Sequence, residues 1–153
     1  RTVFLGEPSE SDRELFRHMM KARELAYSMV RPGVCCGEID LATQEYFRQQ
    51  GFGSKIIHRA GHGIGMGNHE APWLSAGSDH VLQENMVISI EPAIYFGDIG
   101  GFRHSDTVLV TKDGFERITR YPDTLDELIV SEKRVLKQLK GKVIRSAINF
   151  KDR

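Results

Sequence analysis

The stretch Glu84-Asn85-Met86-Val87-Ile88-Ser89-Ile90-Glu91-Pro92-Ala93-Ile94-Tyr95-Phe96, with the return from Phe102-Arg103-His104-Ser105-Asp106-Thr107 to Val108-Leu109-Val110-Thr111, decides the fold. Met86 to Phe96 is rich in β-branched and aromatic residues and gives the strongest strand signal in the chain. Gly97 to Gly101 holds three glycines and reads as a turn, and Phe102 to Thr111 reads as the next strand. Lys112-Asp113-Gly114 turns the chain again, and Phe115 to Thr119 predicts a short return strand, so the strands run antiparallel. Side chains alternate along a strand. Val87, Ser89 and Glu91 therefore share one face, with Ile88 and Ile90 on the other. On the returning strand Arg103, Ser105 and Thr107 share a face, and His104 and Asp106 share the opposite one. A carboxylate among apolar neighbours is costly unless it meets a cation. Glu91 is thus either an ion-pair partner, with Arg103 as its mate, or a metal ligand or general base. If that face lines a site, Arg103 is placed to hold a substrate carboxylate by a two-point contact.

Upstream lies His58-Arg59-Ala60-Gly61-His62-Gly63-Ile64-Gly65-Met66-Gly67-Asn68-His69-Glu70-Ala71-Pro72. Half of the chain's six histidines fall in this glycine-rich run. Glycine lets backbone and ligand approach closely, and histidine offers a neutral nitrogen ligand or a proton carrier near neutral pH. The combination points to a site, although a single histidine would more often be structural.

Further upstream, Thr2 to Leu5 is a short β-like run ended by Gly6 and Pro8. Ser11-Asp12-Arg13-Glu14 fits a capping box. Leu15, Met19, Ala22, Ala26 and Met29 then recur at helical spacing, which predicts a helix over 11–30 stopped by Arg31-Pro32-Gly33. A second helix is predicted over 38–49, with Ile39, Ala42 and Tyr46 on one face and Gly51 closing it. Ile56 and Ile57 read as the start of a strand, and residues 72–85 as a loop. Beyond Pro122 the pattern turns helical and charged over 125–139, and 141–153 forms a basic tail.

With 153 residues and equal numbers of basic and acidic groups, the chain suits one domain or most of one. Zero formal net charge removes the electrostatic argument for nucleic acid or an anionic membrane as partner. Cys35 and Cys36 are adjacent and form no ordinary disulfide staple. Two free thiols fit a cytoplasmic protein. Arg1-Thr2-Val3-Phe4-Leu5 reads as the interior of a longer chain.

The segments HRAGHGIGMGNHEAP, ENMVISIEPAIY and GGFRHSDTVLVTKDG, in this order and spacing, resemble the pita-bread metallopeptidase family, which includes methionine aminopeptidase, aminopeptidase P, prolidase and the metal-free creatinase. The resemblance spans about residues 1–122 and is strongest to Xaa-Pro aminopeptidase and prolidase. It implies an α+β fold, a curved and mostly antiparallel sheet with helices on one side, present here as the C-terminal part of the catalytic domain, with 123–153 as a C-terminal helix and basic tail. It implies that His62 and Glu91 bind metal, and that Glu91 also handles a proton. It further implies that His69 contacts substrate and stabilises the tetrahedral intermediate. His58 matches the additional histidine of the proline-specific members and takes a catalytic and substrate-binding role. Arg103 matches an arginine ahead of the last ligand and contacts substrate. The implied reaction is hydrolysis of an N-terminal Xaa-Pro bond by water activated on divalent Mn, Co or Zn.

Two departures bear on that implication. Ser105 stands where the family's Arg-x-Glu-Asp pattern has a glutamate ligand, and neither Asp12 nor Asp40 fits as one of the family's two aspartate ligands. The resemblance places those aspartates ahead of Arg1, so the fragment alone is expected to be inactive and nearly metal-free. Two alternatives stay open: a metal-poor creatinase-like hydrolase or lyase of a small C–N compound, and a non-catalytic binding module of the same fold. Strand edges left open by the missing N-terminal part make association with that part, or a homodimer, the expected assembly.

Overall fold

A computed structural model describes residues 1–131. The basic tail over 141–153 and most of the helix expected over 125–139 lie outside the described residues. Strand β1 (Phe4–Leu5) leads into helix α1 (Glu10–Met29). The reciprocal cap on α1 is Ser9 with Asp12, not Ser11 with Glu14: the Ser9 hydroxyl accepts from the Asp12 amide at 3.1 Å, and the Asp12 carboxylate accepts from the Ser9 amide at 3.1 Å. An aspartate at the third helical position closes the box as a glutamate would. Leu15, Met19, Ala22 and Ala26 are buried on one face, as their spacing predicts. Helix α2 (Cys36–Gln49) buries Ile39, Thr43 and Phe47, while Tyr46 is half-buried beside them. It closes at Gly51, whose φ of 83° favours glycine.

The sheet has five antiparallel strands in the order β3 (Glu70–Leu74), β2 (Gly61–Gly63), β4 (Val87–Ile90), β7 (Asp106–Val110), β8 (Phe115–Arg117). A hairpin of β5 (Ala93–Phe96) and β6 (Gly100–Arg103) continues from β4 and β7. The register is unchanged across the junction: Ile90 pairs with Asp106 and Ala93 with Arg103, so the same ladder would set Glu91 opposite Ser105. The long strands expected over 86–96 and 102–111 are therefore each broken, at Glu91-Pro92 and at His104-Ser105. Pro92 has no amide to donate, and the Glu91 amide donates instead to the Ala60 carbonyl at 2.7 Å.

Two elements differ from the expectation upstream. Ile56 and Ile57 lie outside any strand, and strand β3 occupies the start of the expected loop at 72–85. The inner strand β2 is Gly-His-Gly, which has no intrinsic β preference. It is a strand because it is flanked on both sides, and its glycines allow the close approach: a Cβ on Gly61 would lie 2.0 Å from the Ser89 carbonyl oxygen.

Helices α1 and α2 cover one face of the sheet. Ala26, Val30, Ile39, Leu74, Ile88, Ile90, Val108 and Val110 form the main core between them. A second cluster packs Phe16, Met19, Phe47, Ile94 and Phe102 under the distal hairpin. Among the described residues the helix expected over 125–139 begins as α3 (Leu125–Leu128), after which Ile129 and Val130 form strand β9 and pair in parallel with β1. No described helix is long and apolar enough to cross a membrane.

Candidate active site

The sheet face away from the helices carries the chemistry. Register aligns Trp73, His62, Ser89 and Thr107 in a row across β3, β2, β4 and β7, and residues directly opposite in an antiparallel ladder present side chains on the same face. His62 is buried. Its Nδ1 donates to the Gly63 carbonyl at 2.9 Å, since a carbonyl can only accept. In the neutral ring this leaves the lone pair on Nε2, which faces Glu91 Oε1 at 3.2 Å. Two acceptor atoms so close repel unless a proton or a metal ion lies between them.

His69 comes to the same point from the exposed segment between β2 and β3. Its ring lies 3.9 Å from that of His62, tilted by 36°. The ligand atoms of His62, His69 and Glu91 all fall within 4.8 Å of one another. Arg103 approaches Glu91 from the other side, with Nη1 at 3.9 Å from Oε2. His58 does not join the three. Its Nδ1 donates to the Arg59 carbonyl at 2.7 Å, and its Nε2 lies 2.9 Å from the Tyr95 hydroxyl, from which the neutral ring accepts. It lines, with His69, Glu91 and Arg103, a cleft of about 470 Å³. Tyr95 was not singled out by the sequence reading. Its signal was weak: it stands four residues after Glu91, where strand alternation returns to the same face, but beyond the Pro92 break.

The site is held from behind by Asp40. This buried α2 carboxylate accepts from the amides of Ala60 at 2.8 Å and Ala76 at 2.6 Å, and from Gln44. It therefore fixes the entry to β2 and the exit from β3 together. Burial raises its carboxyl above the ordinary value although these hydrogen bonds pull the other way. Asp40 is structural, and so is Asp12 in its cap.

The donor set fits one cation and not a closely spaced pair. His62, His69 and Glu91 converge on one point, with the His62 nitrogen already turned inward. At the position opposite Glu91, Ser105 offers a neutral hydroxyl, 3.3 Å from that of Ser89. His104, its neighbour, is turned away and fully buried against Phe16.

The sequence profile of metallopeptidase family M24 matches residues 1–112. The chain is 40% identical over 120 residues to an Xaa-Pro dipeptidase of Pyrococcus furiosus, covering 78% of this chain and 34% of that protein. It is 40% identical over 132 residues to an Xaa-Pro dipeptidase of Lactobacillus delbrueckii subsp. lactis, covering 86% and 36%. Among solved structures, an Xaa-Pro dipeptidase from Bacillus anthracis superposes with a TM-score of 0.80 at 38% identity, over 85% of this chain and 36% of that one. An X-Pro aminopeptidase from Thermotoga maritima gives a TM-score of 0.79 at 34% identity, over 86% and 36%. The chain thus spans about a third of the length of the relatives it matches.

Proposed function

The chain belongs to metallopeptidase family M24, and from that premise we propose that the protein carrying it hydrolyses Xaa-Pro bonds at the N-terminus of short peptides. The observation that carries this reading is the facing pair of His62 Nε2 and Glu91 Oε1 at 3.2 Å, with His69 stacked on the same point. The comparisons support it through relatives named as Xaa-Pro dipeptidases.

His62 and Glu91 would hold a divalent ion there, with His69 left free beside it, and the ion would supply a positive centre that favours deprotonation of water; a nitrogen and carboxylate set suits Mn, Co or Zn. This chain's residues do the rest. Glu91 takes the proton released at the attacking oxygen. His69, on its exposed segment, donates a hydrogen bond to the oxygen that becomes negative. His58, oriented by Tyr95, contacts the substrate along the cleft wall, and Arg103 contacts it beside Glu91. Residues 1–122 form the catalytic part. The edges of β3 and β8 support a homodimer or pairing with the rest of the protein, and two free thiols support a cytoplasmic setting.

Ser105 favours a second reading, a metal-poor hydrolase or lyase acting on a small C–N compound. The test is proline release from Ala-Pro by the full natural protein, before and after chelation. Release that stops on chelation and returns with Mn²⁺ is expected. No release from Ala-Pro under any loading sinks the peptidase reading, and release that survives chelation moves the chemistry to the second.

A further inference from the structure

Every second residue from Gly61 to Gly67 is glycine, and the first two serve the close packing of β2. Gly65 and Gly67 lie beyond that strand, in the loop of residues 64–69 that carries His69 toward β3. The loop is exposed from Gly65 to His69. Both glycines make room for one side chain. A Cβ on Gly65 would lie 2.0 Å from Glu70 Oε1, and one on Gly67 would lie 3.2 Å from Glu70 Oε2. The Gly67 amide donates to Oε2 at 2.8 Å. The Gly65 amide donates to the Gly67 carbonyl at 3.2 Å, which tightens the same bend. Glu70 is the first residue of β3 and the strand partner of Gly63, so the sheet fixes its backbone.

A hydrogen bond from an amide to a carboxylate is about twice as strong as one between neutral groups. It ties the loop to the sheet at Gly67, two residues before His69. Without that tie a short glycine-rich loop has many conformations open to it. The His69 ring, however, has to stay 3.9 Å from that of His62 to face the site. We propose that Glu70 is a positioning residue: its carboxylate, seated against Gly65 and Gly67, latches the loop and holds His69 over the His62–Glu91 pair. This rests on the hydrolase reading above, in which His69 donates to the oxygen that becomes negative, and adds the residue that keeps the donor in place.

Glu70→Ala in the full natural protein removes the latch. Release of proline from Ala-Pro is expected to fall by about tenfold to a hundredfold in kcat, the scale of a reacting group misplaced by about 1 Å. KM should stay within about threefold, because the His69 hydrogen bond matters only in the transition state. In a His69→Ala background the same substitution should change kcat by about twofold or less, since nothing is left to position. Gly65→Ala keeps the carboxylate but forces it out of its seat, and should lower kcat in the same way. It carries the test should Glu70→Ala fail to fold. Hydrogen exchange over residues 64–69, followed by mass spectrometry, should quicken about tenfold in both variants, as for loss of a hydrogen bond to a charged group. Unchanged exchange in both variants overturns the proposal, as does an equal fall in kcat with and without His69, or an effect confined to KM. Failure of the hydrolase reading has a different signature: no proline from Ala-Pro with the unaltered protein, while Glu70→Ala still quickens exchange over 64–69.

Discussion

Ser105 is settled in its place as a hydroxyl. Its side chain meets Ser89 at 3.3 Å, and its carbonyl accepts from Arg1. A neutral oxygen brings no charge to offset two divalent ions a few ångströms apart. After loading with Mn²⁺ and dialysis, the natural protein is therefore expected to retain no more than one ion per chain, measured by elemental analysis. Ser105→Glu is expected to raise that number. Two tightly held ions in the unaltered protein would contradict the account. The departure at Ser105 was legible only against the pattern of the family that the sequence resembles, whereas the inward turn of His104 was legible from strand parity, which survives the break in the ladder. The contacts of Arg59 with Trp73 and of Tyr95 with His58 were not legible. Their proximity depends on the register of β2 against β3 and on the distal hairpin, which no local pattern specifies.

At the scale of elements, the two long helices were read correctly from their periodicity, whereas the apolar pair Ile56-Ile57 is not a strand and the glycine-rich β2 is. Helices α1 and α2 and the hairpin strands announce themselves by periodicity. Strand β2 does not, since its strand character comes from its neighbours. Gly61 makes this testable. A methyl there would sit 2.0 Å from the Ser89 carbonyl and 3.2 Å from a Leu74 side-chain carbon. Relief would require moving the β4 backbone, two residues from Glu91. Gly61→Ala is expected to cost about 3 kcal/mol in urea denaturation, the upper end of ordinary overpacking. Gly114→Ala, with nothing within 4 Å of the added carbon, is expected to change stability by about 0.5 kcal/mol or less, as is usual for open surface positions. Equal effects at the two positions would show that β2 is free to shift, and the rigid placing of His62 would then need another source.

At the scale of the whole molecule, the first residue, α1 and the sheet are tied together at Asp106 and His104. Asp106 is fully buried and takes Arg1, Arg23 Nε at 2.9 Å and the Tyr27 hydroxyl. Burial works to raise its carboxyl, but the hydrogen bonds from Tyr27 and Arg1 and the charge of Arg23 outweigh it and hold it below the ordinary value. The stability this gives is present above the ordinary aspartate range and is lost only as pH falls through the lower folded value. His104 acts in a higher window. Neither ring nitrogen has a hydrogen-bond partner among the described residues. Burial, then the charges of Arg1 and Arg23, push it down from 6.5 to about 3, with Asp106 opposing in part. Between those values the unfolded chain binds a proton that the folded chain refuses. Stability therefore falls as pH drops from 6.5 toward 3, by up to about 1.4 kcal/mol per pH unit. At pH 5 the loss from this residue is about 2 kcal/mol relative to pH 7.5. His104→Leu removes both the proton site and the two unpartnered nitrogens. Urea midpoints at pH 7.5 and pH 5 should therefore lie closer together in the variant, and at pH 5 the variant should be the more stable protein. An unchanged separation would mean that His104 finds a partner in the folded protein, and the acid sensitivity would then belong to Asp106 and its arginines.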